Sequence, residues 1–241
     1  MIKAKKSLGQ NFLVNLGVLD KIVAAAEINS NDTILEIGPG TGNLTEKLVQ
    51  KAGQVIAIEK DHRLIEGLAQ KFGKNTGFKI IEGDILRLNL KDFTRFNLVS
   101  YKVVGNIPYY ITSHLLRTIF EDWPMPKLIV LTIQKEVAQR IVAKPGQMSL
   151  LALMVQLHSD PKMVGMVSRG SFRPIPNVDS AIIKLTPSPK ADKETIEKIM
   201  GLAKKAFAGK RKQLKNTLGT NSTSRPEDLD VSDWLNLSSQ V

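Results

Sequence analysis

The sequence contains no cysteine, and its three histidines lie far apart, at positions 62, 114 and 158. Without cysteine the chain can form neither a disulfide nor a thiolate metal site. The histidines lack the short spacings of metal ligands, so no metal site is predicted. No apolar run approaches the ~20 residues of a membrane span, and the basic N-terminus lacks the apolar stretch of a signal peptide. We therefore expect a soluble, cytoplasmic protein that binds no membrane.

Acidic residues are the minority among the charged side chains. The 241 residues include 34 Lys and Arg against 23 Asp and Glu, which gives a net charge of +11. A positive charge of this size favours a polyanionic partner such as nucleic acid, although a merely basic surface is the alternative. The hydrophobic fraction of 42% is typical of a globular protein.

Strand-like runs alternate with helical patterns through most of the sequence. The runs are apolar on both faces, as in a parallel sheet covered by helices. They are TILEI (33–37), VIAIE (55–59), FKIIE (78–82), YKVVG (101–105) and LIVLTI (128–133). Two later runs, 162–168 and 181–186, are expected to extend the sheet as a hairpin. This order predicts an α/β doubly wound fold.

The composition changes near residue 188. The segment TPSPKAD (186–192) reads as a Pro-rich joint between two domains. Apolar residues at helical spacing follow it, namely Ile196, Ile199, Met200, Ala203 and Phe207. The sequence therefore predicts a larger domain over residues 1–188 and a small helical domain over 189–241.

A glycine-rich turn joins the first predicted strand to the following helix, in EIGPGTGNLTEKL (36–48). Glycines at such a turn let the backbone approach a ligand closely. The dinucleotide fingerprint G-x-G-x-x-G would need glycine at position 43, where this chain has Asn43. That spacing disfavours NAD, and a plain tight turn is the structural alternative.

Two acidic residues follow the next two strands. Glu59 ends the second strand and can accept hydrogen bonds from both hydroxyls of a ribose, and Asp84 follows the third and can accept from an adenine amine. Each alone is more often a turn residue or a helix cap. Because the carboxyl ends of parallel strands share one edge, together they indicate a nucleoside ligand without phosphates. S-adenosylmethionine fits that description.

The stretch GNIPYY (105–110) brings a side-chain amide to the same edge. An adenine's exocyclic amine is a poor nucleophile, because its lone pair is conjugated into the ring. The Asn106 oxygen and a carbonyl near Pro108 could accept the two N–H bonds and direct the lone pair at a methyl group. Tyr109 could stack on the base. The structural alternative is a turn whose tyrosines pack in the core.

Several segments together resemble a known family. EIGPGTG, IEKD, GDIL and GNIPYYIT resemble the motifs of S-adenosylmethionine-dependent ribosomal RNA adenine dimethyltransferases. KKSLGQNFL (5–13), SFRPIPNVDSAIIKL (171–185) and AFAGKRKQLKNTL (206–218) are similar to signatures of the KsgA-type, small-subunit members. One departure is Met148-Ser149, where such members commonly carry Tyr-Gly.

The resemblance implies a class I methyltransferase fold, Rossmann-like, with a mostly parallel seven-stranded sheet and a small all-helical C-terminal domain. It implies dimethylation of two adjacent adenines in a hairpin loop near the 3′ end of small-subunit (16S) ribosomal RNA. The substrate would be an immature 30S particle, and the cofactor product would be S-adenosylhomocysteine. A monomer is the default expectation.

The resemblance also assigns site residues. The catalytic set is Asn106, Pro108, Tyr109 and Phe172, of which Tyr109 and Phe172 would stack around the target adenine. The cofactor set is Gln10 (in an N-terminal lid), Asn11, Leu13, Glu36, Gly38, Gly40, Glu59, Asp84, Ile85 and Asn106. The RNA-binding set is Lys204, Lys205, Lys210, Arg211, Lys212 and Lys215. Such a basic block is otherwise a solvated face, and here phosphate contacts are favoured.

Two other functions remain open. An Erm-type enzyme would methylate a large-subunit adenine with nearly the same catalytic motif, whereas LGQNFL and GKRKQLKNTL favour the small subunit. An RNA-binding assembly factor would methylate incidentally or not at all. Intact Glu59, Asp84, Asn106 and Tyr109 argue against lost activity.

Overall fold

The computed structural model describes residues 3–87, 89, 94, 98, 100–209 and 212–240. The chain divides into two compact units. The sheet unit comprises Met1–Lys135 and Met163–Thr186, and the helical unit comprises Glu136–Lys162 and Pro187–Val241. Residues 136–162 are thus grouped with the C-terminal segment. A single domain boundary at residue 188 would instead leave them with the sheet.

Seven of the strands in the described residues follow the predicted apolar runs closely, and two short strands, at 12–13 and 172–173, were not predicted. The strands are β1 (Phe12–Leu13), β2 (Thr33–Ile37), β3 (Gln54–Glu59), β4 (Phe78–Glu82), β5 (Tyr101–Asn106), β6 (Leu128–Gln134), β7 (Ser159–Val167), β8 (Phe172–Arg173) and β9 (Ser180–Pro187). Seven of them form one sheet in the order β4-β3-β2-β5-β6-β9-β7, and β1 pairs with β8 separately. Each strand in the series β4-β3-β2-β5-β6 is parallel to the next, and β9 is antiparallel to β6. The fold is therefore α/β with a mostly parallel seven-stranded sheet.

The helices alternate with the strands in the first half of the chain and follow one another directly in the C-terminal segment. They are α1 (Leu16–Ala25), α2 (Asn43–Val49), α3 (His62–Phe72), α4 (Thr112–Glu121), α5 (Lys135–Ile141), α6 (Leu150–His158), α7 (Lys193–Ala208), α8 (Leu214–Thr217) and α9 (Val231–Gln240). Side-chain caps start several of them, as at Asn15 before α1 and Asp61 before α3. Within the described residues, no helix combines the length and apolarity needed to cross a bilayer.

The register of the parallel strands brings their carboxyl ends to one edge. Ile37 lies opposite Ile58 on one side and Gly105 on the other, and Glu59 lies opposite Glu82. The interior of the sheet is apolar on both faces, since the successive residues Ile34 and Leu35 of β2 point to opposite faces and neither has exposed surface. The loops after β2, β3, β4 and β5 therefore meet above a rigid support.

The helical unit packs around α7. Ile196, Ile199, Met200 and Ala203 are buried, as their helical spacing predicts, and Phe207 stacks on the fully buried Trp234 at a ring-centroid distance of 6.2 Å. Met148 is buried, and the Ser149 hydroxyl caps α6 by accepting from Ala152 N at 3.2 Å. The two residues that depart from the family pattern thus have structural roles within this unit.

One buried lysine closes the amino-terminal edge of the sheet. Lys102 Nζ donates to the carbonyl oxygens of Ala26 (3.1 Å) and Glu27 (2.6 Å) and to Asp32 Oδ2 (2.9 Å). The side chains of Lys102 and Asp32 are only 11% and 12% exposed. Burial alone would raise the pKa of Asp32, but the hydrogen-bonded Lys102 ammonium and the Asn29 amide together outweigh it and hold that pKa below its ordinary value.

Replacing Lys102 with methionine is expected to lower the free energy of unfolding by ~3 kcal/mol, because three acceptors, among them the largely buried Asp32 carboxylate, lose a charged donor. The matched control is Lys71→Met, since Lys71 bonds Glu46 at 2.7 Å while both side chains are about half exposed. Its loss should stay below ~1 kcal/mol. Denaturant unfolding at pH 7 measures both, and equal losses would show that Lys102 contributes no more than a surface ion pair.

Candidate active site

The loops at the carboxyl edge enclose a cavity of about 800 Å³ in the sheet unit, part of it open to solvent. Most of the predicted site residues line it: Gln10, Asn11, Gly38, Gly40, Glu59, Asp84, Ile85, Asn106, Pro108, Tyr109 and Phe172. The remaining two cofactor residues, Leu13 and Glu36, line a smaller cavity of about 300 Å³ that shares Gly38, Gly40 and Asn106 with the first.

The glycine turn after β2 has a backbone that other residues rarely adopt. Gly38, Gly40 and Gly42 have φ values of 66°, 60° and 80°. A Cβ at Gly40 would also stand 2.9 Å from the ring of Phe12. The turn therefore needs glycine both for its conformation and for the close approach of the N-terminal segment.

Glu59 links this turn to the end of β3. Its Oε2 accepts from Gly40 N at 3.0 Å and its Oε1 from Asp61 N at 2.8 Å, and the residue is 6% exposed. Burial raises the pKa of Glu59, and the two backbone amides partly offset that rise. A carboxylate has about four acceptor positions, so each oxygen can still accept a hydroxyl of a ligand.

Asp84 is held as a carboxylate beside Lys60. Lys60 Nζ donates to Asp84 Oδ2 at 2.8 Å, and Leu86 N donates to Asp84 Oδ1 at 3.1 Å. Burial acts to raise the pKa of Asp84, but the Lys60 ammonium and the amide outweigh it and the pKa lies below its ordinary value. The charged form retains acceptor capacity for a ligand amine.

The orientation of the Asn106 amide is set by the N-terminal segment. Asn106 Nδ2 donates to the backbone oxygen of Asn11 at 2.9 Å. No residue in the described part of the chain donates to Asn106 Oδ1. The nitrogen is thus committed to the protein, and the oxygen remains an available acceptor at the cavity wall.

The two aromatic residues of the predicted stacking pair differ in exposure. The Tyr109 hydroxyl and Ser180 Oγ are 2.7 Å apart, and Tyr109 is half-buried. Burial raises the pKa of Tyr109, so its phenol stays protonated at neutral pH. Phe172 has no exposed surface and lies in β8 opposite Leu13 of β1. Both rings line the cavity, but a base can stack on Phe172 only after that ring becomes exposed.

Glu36 is a buried acid without a partner. It is 1% exposed, and neither carboxyl oxygen has a hydrogen-bond partner among the described residues. Burial raises the pKa of Glu36 to about 8, and the Glu59 charge adds to the rise. The Thr45 hydroxyl acts to lower the pKa of Glu36, although it forms no hydrogen bond with the carboxyl group. At neutral pH the group is mainly a neutral acid beside the smaller cavity.

Four residues with contacts at this edge were not predicted from the sequence to have a role. Lys60 pairs with Asp84, Asn43 Nδ2 donates to the Leu13 oxygen at 2.8 Å, and Asp61 forms an ion pair with Arg63 at 2.6 Å. Lys60 and Asp61 lie within the IEKD motif, which was the available signal. The sequence marks Asn43 only as the residue that breaks the dinucleotide fingerprint.

The predicted RNA-binding residues belong to the helical unit. Lys204, Lys205, Lys212 and Lys215 are exposed, whereas Lys210 and Arg211 lie outside the described residues. Across the ranges that the structure describes, no group of three or more His, Cys, Asp or Glu side chains could hold a metal ion.

The sequence matches the model of a family described as ribosomal RNA adenine dimethylase over residues 1–234. Among curated relatives, ribosomal RNA small subunit methyltransferase A of Dehalococcoides mccartyi strain BAV1 is 41% identical over 98% of this chain and 88% of its own length. The protein of the same name from Mycoplasmopsis synoviae is 44% identical over 98% of this chain and 89% of its own length.

Solved structures share the fold over nearly the whole chain. A dimethyladenosine transferase from Plasmodium falciparum has a TM-score of 0.80 at 30% identity and covers 94% of this chain and 95% of its own. The 23S rRNA methyltransferase ErmE has a TM-score of 0.80 at 26% identity and covers 95% of this chain and 99% of its own. Because the two TM-scores are equal, the fold does not distinguish the likeness to the dimethyladenosine transferase from the likeness to ErmE. The sequence comparisons discriminate better.

Proposed function

The chain belongs to the ribosomal RNA adenine dimethylase family, and we propose that it dimethylates the exocyclic amines of two adjacent adenines in small-subunit ribosomal RNA. As a member of that family it is a methyltransferase that uses S-adenosylmethionine. The observation that carries the proposal is the Asn106 amide, whose nitrogen is bonded to Asn11 O and whose oxygen is left as an acceptor at the cavity.

The residues around the cavity fit the cofactor. S-adenosylmethionine supplies an electrophilic methyl group and presents ribose hydroxyls, an adenine amine and an ammonium group. We assign the ribose hydroxyls to Glu59, whose oxygens are held in place by Gly40 N and Asp61 N. The adenine amine is assigned to the ionised Asp84 and the ammonium to Glu36, the buried acid without a partner. The apolar side chain of Ile85 adds a wall of the cavity.

The target amine needs two acceptors that draw its lone pair out of conjugation. Asn106 Oδ1 supplies one acceptor, and a carbonyl at the Ile107-Pro108 turn supplies the other. The Pro108 oxygen already accepts from Ile111 N at 3.1 Å, so it can take the amine only on its remaining lone pair. This is catalysis by positioning, which can remove several kcal/mol of barrier. No strong base is required, because the alkylated ammonium loses its proton easily.

The aromatic side chains would hold the base during transfer. The hydrogen bond between Tyr109 and Ser180 fixes the Tyr109 ring at the cavity wall. Stacking on such a ring contributes ~1–3 kcal/mol per base. Phe172 completes the pair only if entry of the base displaces the residues that cover its ring.

The remaining assignments concern the substrate particle. We propose that residues 1–188 carry catalysis and that residues 189–241 bind RNA through the exposed Lys204, Lys205, Lys212 and Lys215 and through Lys210 and Arg211. The substrate is an immature 30S particle in the cytoplasm, where ribosomal subunits are assembled, and the enzyme acts as a monomer. The target adenines lie in a hairpin loop near the 3′ end of the RNA.

Methylation of a large-subunit adenine is the second candidate, because ErmE matches the fold as well as the dimethyladenosine transferase does. The identity to the small-subunit relatives, at 41% and 44%, is higher than the 26% identity to ErmE, and this favours the first candidate.

The test uses undermethylated 30S subunits, 50S subunits and naked 16S RNA with labelled S-adenosylmethionine. We expect two adjacent dimethyladenosines in the small-subunit RNA, mapped by mass spectrometry. Label in the 50S RNA would place the protein with the large-subunit enzymes. Tight 30S binding without label would make it an assembly factor and would refute the role of Asn106.

A further inference from the structure

The N-terminal segment is part of the cavity wall and also contacts the catalytic amide. We call residues 3–13 the strap. Within it, residues 8–12 line the cavity. The Asn11 carbonyl accepts the only hydrogen bond that Asn106 Nδ2 makes to the described residues. The orientation of the amide that would meet the target amine therefore depends on where the strap lies.

The inner end of the strap is fastened by backbone pairing. Phe12 and Leu13 pair with Arg173 and Phe172 as the β1–β8 ladder. Asn43 Nδ2 adds a hydrogen bond to the Leu13 oxygen at 2.8 Å. These contacts hold residues 12–13, but they do not reach the part of the strap that precedes Asn11.

The outer part of the strap is held by side chains next to α3. Gln10 Nε2 donates to Asp61 Oδ2 at 2.7 Å, and Gln10 Oε1 accepts from Lys5 N at 2.7 Å. Arg63 Nη1 donates to the Lys3 oxygen at 3.3 Å. Asp61 and Arg63 thus contact two positions of the strap, Gln10 and Lys3, and Gln10 in turn binds Lys5.

Asp61 and Arg63 form a bidentate ion pair. Arg63 Nε lies 2.8 Å from Asp61 Oδ1 and Arg63 Nη2 lies 2.6 Å from Asp61 Oδ2. The Asp61 side chain is only 4% exposed, a setting in which a fork-to-carboxylate pair is strong and directional. Asp61 N also donates to Glu59 Oε1 at 2.8 Å. The pair therefore joins the strap to the carboxylate that we assign to the cofactor ribose.

We propose that Asp61 and Arg63 are positioning residues, which clasp the outer strap to α3 and so keep Asn11 O against the Asn106 amide. The proposal rests on the proposed function, in which Asn106 meets the target adenine. Neither Asp61 nor Arg63 lines the cavity, so each acts through the strap. With the clasp open, the strap covers the cofactor poorly and the Asn106 amide is free to rotate.

The test is Arg63→Met, which removes the guanidinium while Asp61 keeps its cap on α3. Hydrogen exchange should become ~10-fold faster at the amides of Lys5, Leu8 and Gly9, because they lie in the outer strap. Val14 N, which donates to the Ser171 oxygen at 2.9 Å beside the β1–β8 ladder, should keep its protection. We also expect ~10-fold faster dissociation of S-adenosylmethionine and a ~10-fold lower kcat.

The matched control is Lys71→Met, which removes another ion-paired cation from α3 and should change none of these quantities. Arg63→Lys, which keeps the charge but not the fork, should fall between wild type and Arg63→Met. Unchanged exchange and unchanged cofactor dissociation in Arg63→Met would overturn the proposal.

Faster exchange throughout β2 and β5 would indicate general destabilisation by Arg63→Met. In that case Asp61→Ser, whose hydroxyl can still cap α3, is the deciding variant. Faster exchange confined to the outer strap of Asp61→Ser supports the proposal, and unchanged exchange in that part of the strap overturns it. Exchange and cofactor dissociation need no RNA. If the wild-type protein methylated no RNA, the proposed function would be refuted. The exchange and dissociation measurements would still show whether Asp61 and Arg63 hold the strap.

Discussion

Replacing Asn106 with alanine is expected to lower kcat for methyl transfer by at least ~10³-fold, while the Kd for S-adenosylmethionine changes by less than ~5-fold. The substitution deletes the acceptor that would draw out the amine lone pair. Most polar groups assigned to the cofactor, on Glu36, Glu59 and Asp84, stay in place. The separation of the two effects follows because Asn106 supplies geometry at the reacting nitrogen rather than most of the binding contacts.

The matched variant for this prediction is Asn106→Asp. It keeps a side-chain oxygen but puts a second oxygen where Nδ2 now lies 2.9 Å from Asn11 O. Two facing acceptors repel, so we expect Asn106→Asp to be impaired at neutral pH. Activity should partly return as the pH falls, because a protonated carboxyl can again donate to Asn11 O.

Single-turnover kinetics at saturating cofactor and RNA separate chemistry from binding in both variants. Equilibrium binding of labelled S-adenosylmethionine gives the cofactor affinity. Near-normal single-turnover rates in Asn106→Ala would refute the positioning mechanism. A large loss of cofactor affinity would instead make Asn106 chiefly a cofactor ligand.

The sequence is enough to predict which site residues lie at the carboxyl edge of the sheet, because the order and direction of the strands determine it. Once β2, β3, β4 and β5 are parallel, the residues after each strand must meet at the carboxyl edge. Glu59, Asp84 and Asn106 were therefore predictable as neighbours, and they line one cavity. The glycine turn was predictable for a similar local reason, since three left-handed φ values require glycine.

The contacts that the sequence does not encode locally were missed. Gln10 and Asp61 are 51 positions apart, and no periodicity relates them. The grouping of residues 136–162 with the C-terminal segment likewise depends on tertiary packing. The complete burial of Phe172 depends on its position in the β1–β8 ladder and the core, although its motif suggested a ring open to a base.

Raising the pH is expected to destabilise the cofactor-free protein through Glu36. Its pKa is about 8 in the folded chain against an ordinary value of 4.5, because burial disfavours the charged form. Between these values the folded state keeps a proton that the unfolded chain releases. The free energy of unfolding should therefore fall as pH rises across this window and level off above it. The full loss is up to ~5 kcal/mol.

Glu36→Gln should remove most of this pH dependence, because glutamine is neutral in both states and nearly isosteric. At pH 9 we expect the variant to unfold at a higher denaturant concentration than wild type, and at pH 5 the two should be similar. Part of the slope will remain, since burial also raises the pKa of Glu59. Glu82→Gln, which changes an exposed acid at the end of β4, is the matched control and should leave the slope as it is.

The same residue tests whether the smaller cavity receives the ammonium group of the cofactor. A cation beside a buried carboxyl favours its charged form, so binding near pH 7 should release close to one proton from Glu36. Calorimetry in buffers of different ionisation enthalpy measures that release directly. Glu36→Gln should bind with no proton release and with weaker affinity. If wild type releases no proton, Glu36 stays neutral in the complex, and its burial then serves the fold rather than the cofactor.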